Sequence, residues 1–258
     1  MNVIKPLGLL FLLLFSLCSV AATPPTIRLA QYHSPPYYFA ENELAPTGLA
    51  IDLLRPVLHQ LGWQLQIVVC PFPRCLKMLE RGEVDVMPGL LRNSEREIFI
   101  HFVQPPMMSF HSSFVFYARP ENPTPLASEQ QLQGHSIAVM RDAVYYSGFQ
   151  QIPQLNKIPV VSEAKALEMV LQKRVDFTIM VEETAAGAFN TAGIAETELV
   201  KQPFSVASDI LGYFGFSKRS ANAKYLPQLE RAMTEQQKLG LYQRMWQRYD
   251  IAEHPRTK

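Results

Sequence analysis

The chain has 258 residues, 48% of them hydrophobic and 18% charged, with a formal net charge of +1. That length and apolar fraction suit one large domain or two smaller lobes around packed cores. The near-neutral balance gives no electrostatic drive toward nucleic acid or an anionic membrane surface.

Residues 1–22 read as a secretory signal peptide. Lys5 supplies the positive start, an apolar run extends from Leu7 to Leu17, and Val20-Ala21-Ala22 offers small residues for cleavage. The run falls short of the roughly 20 apolar residues that cross a bilayer. Leu17 is too bulky for the small residue that precedes a lipidated cysteine, so Cys18 favours cleavage over an anchor. The expected location is the periplasm. Lys5 is the leader's one charged residue, so cleavage leaves equal numbers of basic and acidic side chains.

Residues 27–30 form a first strand, followed by a Pro- and Tyr-rich loop, QYHSPPYYF. Thr47-Gly48 opens a helix with Ile51, Leu54, Leu58 and Leu61 on one face and Gly62 as its stop, bent by Pro56. Trp63, Leu65, Ile67 and Val69 alternate as a strand. Cys70 and Cys75 then face an oxidising compartment, where two nearby thiols form a disulfide. Metal binding and C-x-x-C redox chemistry fit this pair less well.

An amphipathic helix spans 73–83, with Leu76 and Leu79 opposite Lys77, Glu80 and Arg81, and Gly82 at its C-terminal cap. Residues 84–87, Val-Asp-Val-Met, make a short buried strand that Pro88-Gly89 breaks. A loop carrying Arg92 and Arg96 follows. Strand, helix, strand, helix, strand is the wiring of a parallel α/β sheet.

Another strand at 114–117 leads into a proline-bearing linker, 118–125, and the pattern begins again. Strands are expected at 137–140, 160–161 and 175–181. A loop at 141–149 runs into a helix, and a Ser162-capped helix continues to Lys173. Leu-Glu-Arg-Gly-Glu-Val-Asp-Val at 79–86 is echoed by Leu-Gln-Lys-Arg-Val-Asp-Phe at 171–177. Residues 211–216 suit a crossing back, and helical stretches at 224–233 and 239–249 end the chain. The expected organisation is lobe one over 23–117, lobe two over 118–212 and a return segment over 213–258. Two hinge crossings then flank a cleft that closes on a ligand.

Several residues are candidates for that cleft. Arg96 follows a buried strand, where a guanidinium is placed to grip a carboxylate through two parallel hydrogen bonds. Arg92 and Arg74 add positive potential. Tyr37, Tyr38 and Phe39 offer a flat apolar wall, with Tyr145 and Tyr146 as counterparts from lobe two. Glu182 and Glu183 close the second Val-Asp strand, where one of them receives an ammonium group. Catalytic signatures are poor. Gly134-His135-Ser136-Ile137-Ala138 precedes a strand and so cannot be a nucleophile elbow, and there is neither a metal-spaced His cluster nor a phosphate loop.

These pieces together resemble the bacterial extracellular solute-binding proteins of family 3, the periplasmic polar-amino-acid-binding type. The carriers are PPYYF, TGLAIDLL, RCLKMLERGEVDVMPGL, NSEREIFIHFVQPPM, LQGHSIAVMRDAVYY, ALEMVLQKRVDF and LGLYQRMWQRY, across nearly the whole chain after the leader. The resemblance implies a two-lobed type II fold, with mixed, mainly parallel sheets flanked by helices. It implies a monomer that captures a small solute, without cofactor or metal, and presents it to ABC permease subunits. It puts the ligand's carboxylate on Arg96, its ammonium on Glu182 or, by one register, Glu183, and Tyr37 or Phe39 over the ligand. The chain departs from the family at Pro88-Gly89-Leu90-Leu91-Arg92, in place of small hydroxyl residues, and at Arg141-Asp142-Ala143, in place of an anion cradle. Gly89, Arg92 and Arg141 therefore join the candidates, and a more acidic or larger solute has room. Two alternatives stand beside this reading. One is a periplasmic enzyme resembling cyclohexadienyl or arogenate dehydratases. The other is a ligand-sensing module for a separate signalling partner.

Overall fold

A computed structural model describes residues 24–251 apart from 41, 43, 123 and 124, so the proposed leader lies outside the described residues. In chain order the elements are β1 (Thr26–Gln31), β2 (Tyr38–Phe39), β3 (Thr47–Gly48), α1 (Leu49–Gln60), β4 (Gln64–Val69), α2 (Phe72–Arg81), β5 (Val86–Leu90), α3 (Ser94–Glu97), β6 (Ile100–Phe102) and β7 (Met108–Ala118). There follow β8 (Ser136–Met140), β9 (Asn156–Val160), α4 (Glu163–Leu171), β10 (Phe177–Val181), α5 (Glu182–Ala192), β11 (Val200–Ser217), α6 (Leu226–Lys238) and α7 (Leu241–Arg248).

The main sheet has the strand order β4-β1-β5-β11-β7-β10-β8-β9, with β6 also on β11. Its two ends are parallel, β1 with β4 and β5 on one side and β8 with β9 and β10 on the other. Between them run β7 and β11, paired antiparallel from Val200 opposite Ala118 to Gly212 opposite Met108. These two strands carry both crossings between the parallel halves. The expectation of short strands at 114–117 and 211–216 captured only parts of them. Their outer portions, such as Ser-Phe-His-Ser-Ser at 109–113, have no apolar run, and cross-strand pairing alone makes them extended.

The Val-Asp echo has a structural counterpart. Asp85 donates its N–H to the Arg28 carbonyl at 2.9 Å, and its carboxylate accepts the Arg28 N–H at 2.7 Å. In the other half, Asp176 donates to the Ser136 carbonyl at 3.0 Å and accepts the Ser136 N–H at 2.8 Å. Each aspartate thus satisfies a backbone donor where a parallel strand begins. The surroundings differ. Asp85 is fully buried and also takes the Arg28 guanidinium and the Ser220 hydroxyl. Asp176 is half exposed, and although burial works against its ionised form, hydrogen bonds from Ser136 and His135 pull its pKa down.

Local chemistry explains several further elements. Gly82 ends α2 in the left-handed region at φ 76°, and a Cβ there would lie 2.6 Å from the Arg219 carbonyl oxygen. The helix α1 runs through Pro56. The strand β5 continues through Pro88 and Gly89, contrary to the expected break. Its ladder to β11 shifts register between Tyr213 and Gly215, so Pro88, which lacks an N–H, sits at the irregularity. Residues 141–149 do not enter an α-helix; a single 3₁₀ turn, Phe149–Gln151, follows. The helix α5, unexpected from the sequence, begins directly at Glu182. No helix among the described residues is long and apolar enough to cross a membrane.

Removing the Asp85 carboxylate strands the partly buried Arg28 N–H and the buried Ser220 hydroxyl. Asp85→Ala is therefore expected to destabilise by about 3 kcal/mol, and Asp176→Ala by only about 1 kcal/mol. Urea unfolding of both variants checks the order, and equal losses would contradict it.

Candidate functional site

Three parallel-strand ends converge between the lobes: Tyr32 follows β1, Glu163 follows β9, and Thr184 lies in the first turn of α5 after β10. Residues past the carboxyl ends of parallel strands are where α/β proteins place ligand contacts. Here they enclose two adjoining chambers. The inner one, of about 100 Å³, is lined by Tyr37, Tyr38, Gly89, Arg96, Tyr145 and Val181 among others. The outer one, of about 370 Å³, reaches Cys70, Arg74 and Thr191. Tyr32, Ser34, Phe72, Met140, Glu163 and Thr184 border both and form the neck between them.

Arg96 is carried by α3, whose cap residue Asn93 accepts the Arg96 N–H at 2.9 Å. Its side chain is only 4% exposed. Nη1 donates to the Leu91 carbonyl and Nη2 to the Asp142 carbonyl, each at 2.7 Å, and the second bond spans the two lobes. The guanidinium lies 5.8 Å from the centre of the Phe72 ring. Burial pushes its pKa down to about 10, opposed by Tyr32, Asp142 and Glu95, so Arg96 stays charged near neutral pH. With five N–H donors on a guanidinium and two in these bonds, donors remain for a ligand.

Glu163 is the first residue of α4, whose N-cap Ser162 accepts the Lys165 N–H at 3.2 Å. Among the residues lining either chamber it is the sole carboxylate. Burial pushes its pKa up to about 7, with the Thr184 hydroxyl acting the other way. Tyr32 links the two ends of the site. Its pKa is raised by burial and by Glu163, while Arg96 acts to lower it. Tyr145 accepts the Met140 N–H through its hydroxyl at 2.9 Å and packs on Phe114 and Phe149. Gly89 has φ 69°, and a Cβ there would sit 2.5 Å from the Tyr38 hydroxyl and 3.0 Å from that of Tyr32. A side chain at 89 would displace the aromatic wall.

The structure thus brings together Arg96, Tyr37, Tyr145 and Gly89 of the expected set. It leaves others outside. Glu182 pairs with Lys201 on β11, and Glu183 bonds the Ser112 hydroxyl on β7. Because α5 starts at once after β10, the residues turned into the chamber are Val181 and Thr184, one helical turn apart, and not the glutamates. Phe39 is 39% exposed and lines neither chamber, packing edge-on to His33, which borders the outer one. Arg92 is exposed and paired with Glu97. Arg141 is exposed on a broader cleft of about 920 Å³ that adjoins the inner chamber along Arg96, Met140 and Tyr145. Tyr146 borders only that cleft. The disulfide between Cys70 and Cys75 is present, and it closes the turn that leads into α2.

Sequence reasoning missed Tyr32, Phe72, Glu163 and Thr184. A signal for Tyr32 and Glu163 existed, since each lies just past the end of an expected parallel strand. The pH dependence of stability reports on Glu163. Its folded-state pKa stands above the usual 4.5, so the folded protein binds this proton more tightly than the unfolded chain. Its contribution is full below about pH 4.5 and is lost as pH rises to about 7. Glu163→Gln should remove that slope from the melting temperature between those limits, as measured by calorimetry; an unchanged slope would contradict the assignment.

In sequence, the model of the bacterial extracellular solute-binding proteins, family 3, matches residues 27–251. No curated protein matches the chain. In structure, the chain is similar to a histidine kinase sensor domain with similarity to periplasmic binding proteins, at TM-score 0.72 and 18% identity over 90% of this chain and 98% of that one. It is similar to an ancestral arginine-binding protein bound to arginine, at TM-score 0.71 and 18% identity over 87% and 97%. Holo ArgBP from T. maritima gives TM-score 0.67 and 18% identity over 82% and 90%. At such identity the structural likeness establishes the fold, a two-lobed periplasmic binding protein architecture. With the family match covering residues 27–251 of 258, the chain belongs to the bacterial extracellular solute-binding proteins, family 3.

Proposed function

We propose that this protein captures a small carboxylate-bearing solute, an amino acid or a similar small acid, between its lobes, and that it acts by lobe closure without a chemical step. The observation that carries this reading is Arg96. It is a charged, nearly fully buried guanidinium at the cavity wall that already bridges the lobes through the Asp142 carbonyl. A buried charge is costly unless compensated. Two neutral carbonyls compensate it in part, and an anion at the remaining donors completes the task. Tyr32, Tyr37, Tyr38 and Phe72 supply the apolar walls for the ligand's body. Glu163 is the acidic group available to a ligand N–H or ammonium, the role expected at first for Glu182.

The family and the leader-like residues 1–22 support a setting in the periplasm. Cleavage at the end of residues 1–22 would release a monomer into the periplasm, there to deliver its solute to ABC permease subunits. A second reading is a sensory one, favoured by the likeness to a histidine kinase sensor domain. A pull-down from the native host separates them: permease subunits support import, a sensor kinase supports signalling.

A bound ligand at about 100 times its Kd is expected to stabilise the protein by roughly 2.7 kcal/mol, a rise of about 5–10 °C in melting temperature for a chain of this size. A screen of amino acids and small organic acids by thermal shift reads this directly. In the Arg96→Ala variant the affinity for a carboxylate ligand should fall at least about 100-fold by calorimetry, the loss of one partner from a buried charge pair. Unchanged affinity would rule out the clamp.

A further inference from the structure

The inner chamber is too small to hold a whole ligand of ordinary size. At about 100 Å³ it is smaller than the ~150 Å³ apolar cavity that encloses one benzene molecule. A carboxylate seated on Arg96 therefore fills it with little more than the adjoining few atoms. The adjoining outer chamber, several times larger at about 370 Å³ and sharing the neck residues with it, has room for the remainder of a longer solute. The groups met along that path alternate in charge. Arg96 lines the inner chamber, Glu163 stands at the neck, and Arg74 lines the outer chamber.

Arg74 is an exposed arginine with no ion pair to a carboxylate among the described residues. It sits in the first turn of α2, immediately before Cys75, so the Cys70–Cys75 disulfide brackets it and ties its backbone to the end of β4. Cys70, Pro71 and Phe72 border the same chamber, as do Val161, Ser162 and Ala164 at the start of α4. The amino ends of two helices thus face this space together with Arg74, and both favour negative charge there. The opposite wall, from Ala188 and Thr191 of α5, is uncharged.

Resting on the reading of Arg96 as a carboxylate clamp, we propose that the outer chamber is a second anion subsite governed by Arg74, and that the solute is an elongated dicarboxylate with an N–H donor between its two acidic ends. One carboxylate sits on Arg96, the N–H donates to Glu163 at the neck, and the second carboxylate meets Arg74. Arg74 is the residue that selects the dianion, and Glu163 the one that selects nitrogen over oxygen in the linker.

Two commercial-type probes test this on the mature protein by isothermal titration calorimetry. N-succinylglycine has two carboxylates flanking an amide N–H, and N-butyrylglycine has the same body with a methyl in place of the distal carboxylate. N-succinylglycine is expected to bind about tenfold more tightly, the worth of one charge-assisted hydrogen bond. Arg74→Gln should bring the ratio of the two affinities close to one. The ester analogue of N-succinylglycine, with oxygen in place of the N–H, should bind about tenfold more weakly than the amide, as expected where a buried acceptor is left unpaired. Equal affinity for the two glycine derivatives, a preference that survives Arg74→Gln, or failure of N-succinylglycine to bind would each overturn the proposal. If single carboxylates such as N-butyrylglycine or glutamate then still bind in an Arg96-dependent way, the carboxylate-receptor reading stands and only the second subsite falls. If no carboxylate binds, both fall.

Discussion

The pairing of β7 with β11 is the constraint on which the rest of this molecule depends. Each strand leaves one parallel half-sheet and enters the other, and their ladder from Ala118–Val200 to Met108–Gly212 is continuous apart from one irregularity. Backbone hydrogen bonds fix the two crossings side by side, so the lobes can change their relative angle only by bending this ribbon. The strand ends that carry Tyr32, Glu163 and Thr184 face each other because the ribbon holds the two parallel cores at its flanks. A cleft between two lobes thus follows from strand order before any ligand contact is considered.

Within that cleft, burial sets the chemistry. Desolvation shifts Arg96 and Glu163 in opposite directions on the pH scale, yet in both cases it disfavours charge. For Arg96 the shift leaves the cation intact near neutrality, and carbonyls from both lobes compensate part of its lost hydration. For Glu163 the shift brings titration to neutral pH, where a ligand donor would decide its state. Arg96 is therefore a fixed charge and Glu163 an adjustable one. The pair is held by the amino ends of two helices, α3 and α4, each with an Asn or Ser cap that orients its first turn.

The two aspartates of the repeated Val-Asp unit show how one local solution serves both lobes. Each ties the start of a parallel strand to its neighbour through the same two hydrogen bonds, its own N–H to a backbone carbonyl and a backbone N–H to its carboxylate. The lobe-one copy is buried and reinforced by Arg28 and Ser220, whereas the lobe-two copy is half exposed. The lobes share this device but not its depth in the core.

Much of this was legible in the sequence because it depends on neighbours along the chain. Strand–helix alternation, the Gly82 cap, the Ser162 cap, the Cys70–Cys75 bridge and the Val-Asp echo all follow from short spacings, and so does the place of Arg96 after a buried strand. The length of β7 and β11, the passage of β5 through Pro88 and the existence of α5 were not legible. Each is fixed by a partner strand or by packing distant in sequence. The same distinction governs the site. Tyr37, Tyr145 and Arg96 could be named from local pattern and Gly89 from the departure from the family, but the position of Glu163 past a strand's end did not single it out among the acidic residues. Glu182 and Glu183 had the right chemistry at a strand's end, yet the immediate turn into α5 sends them to Lys201 and Ser112 on the crossing strands. By itself the sequence determined which charges were available; the tertiary structure decided that Glu163 meets the cavity. Which face of a helix turns inward depends on what it packs against, and that is not written in the spacing of its residues.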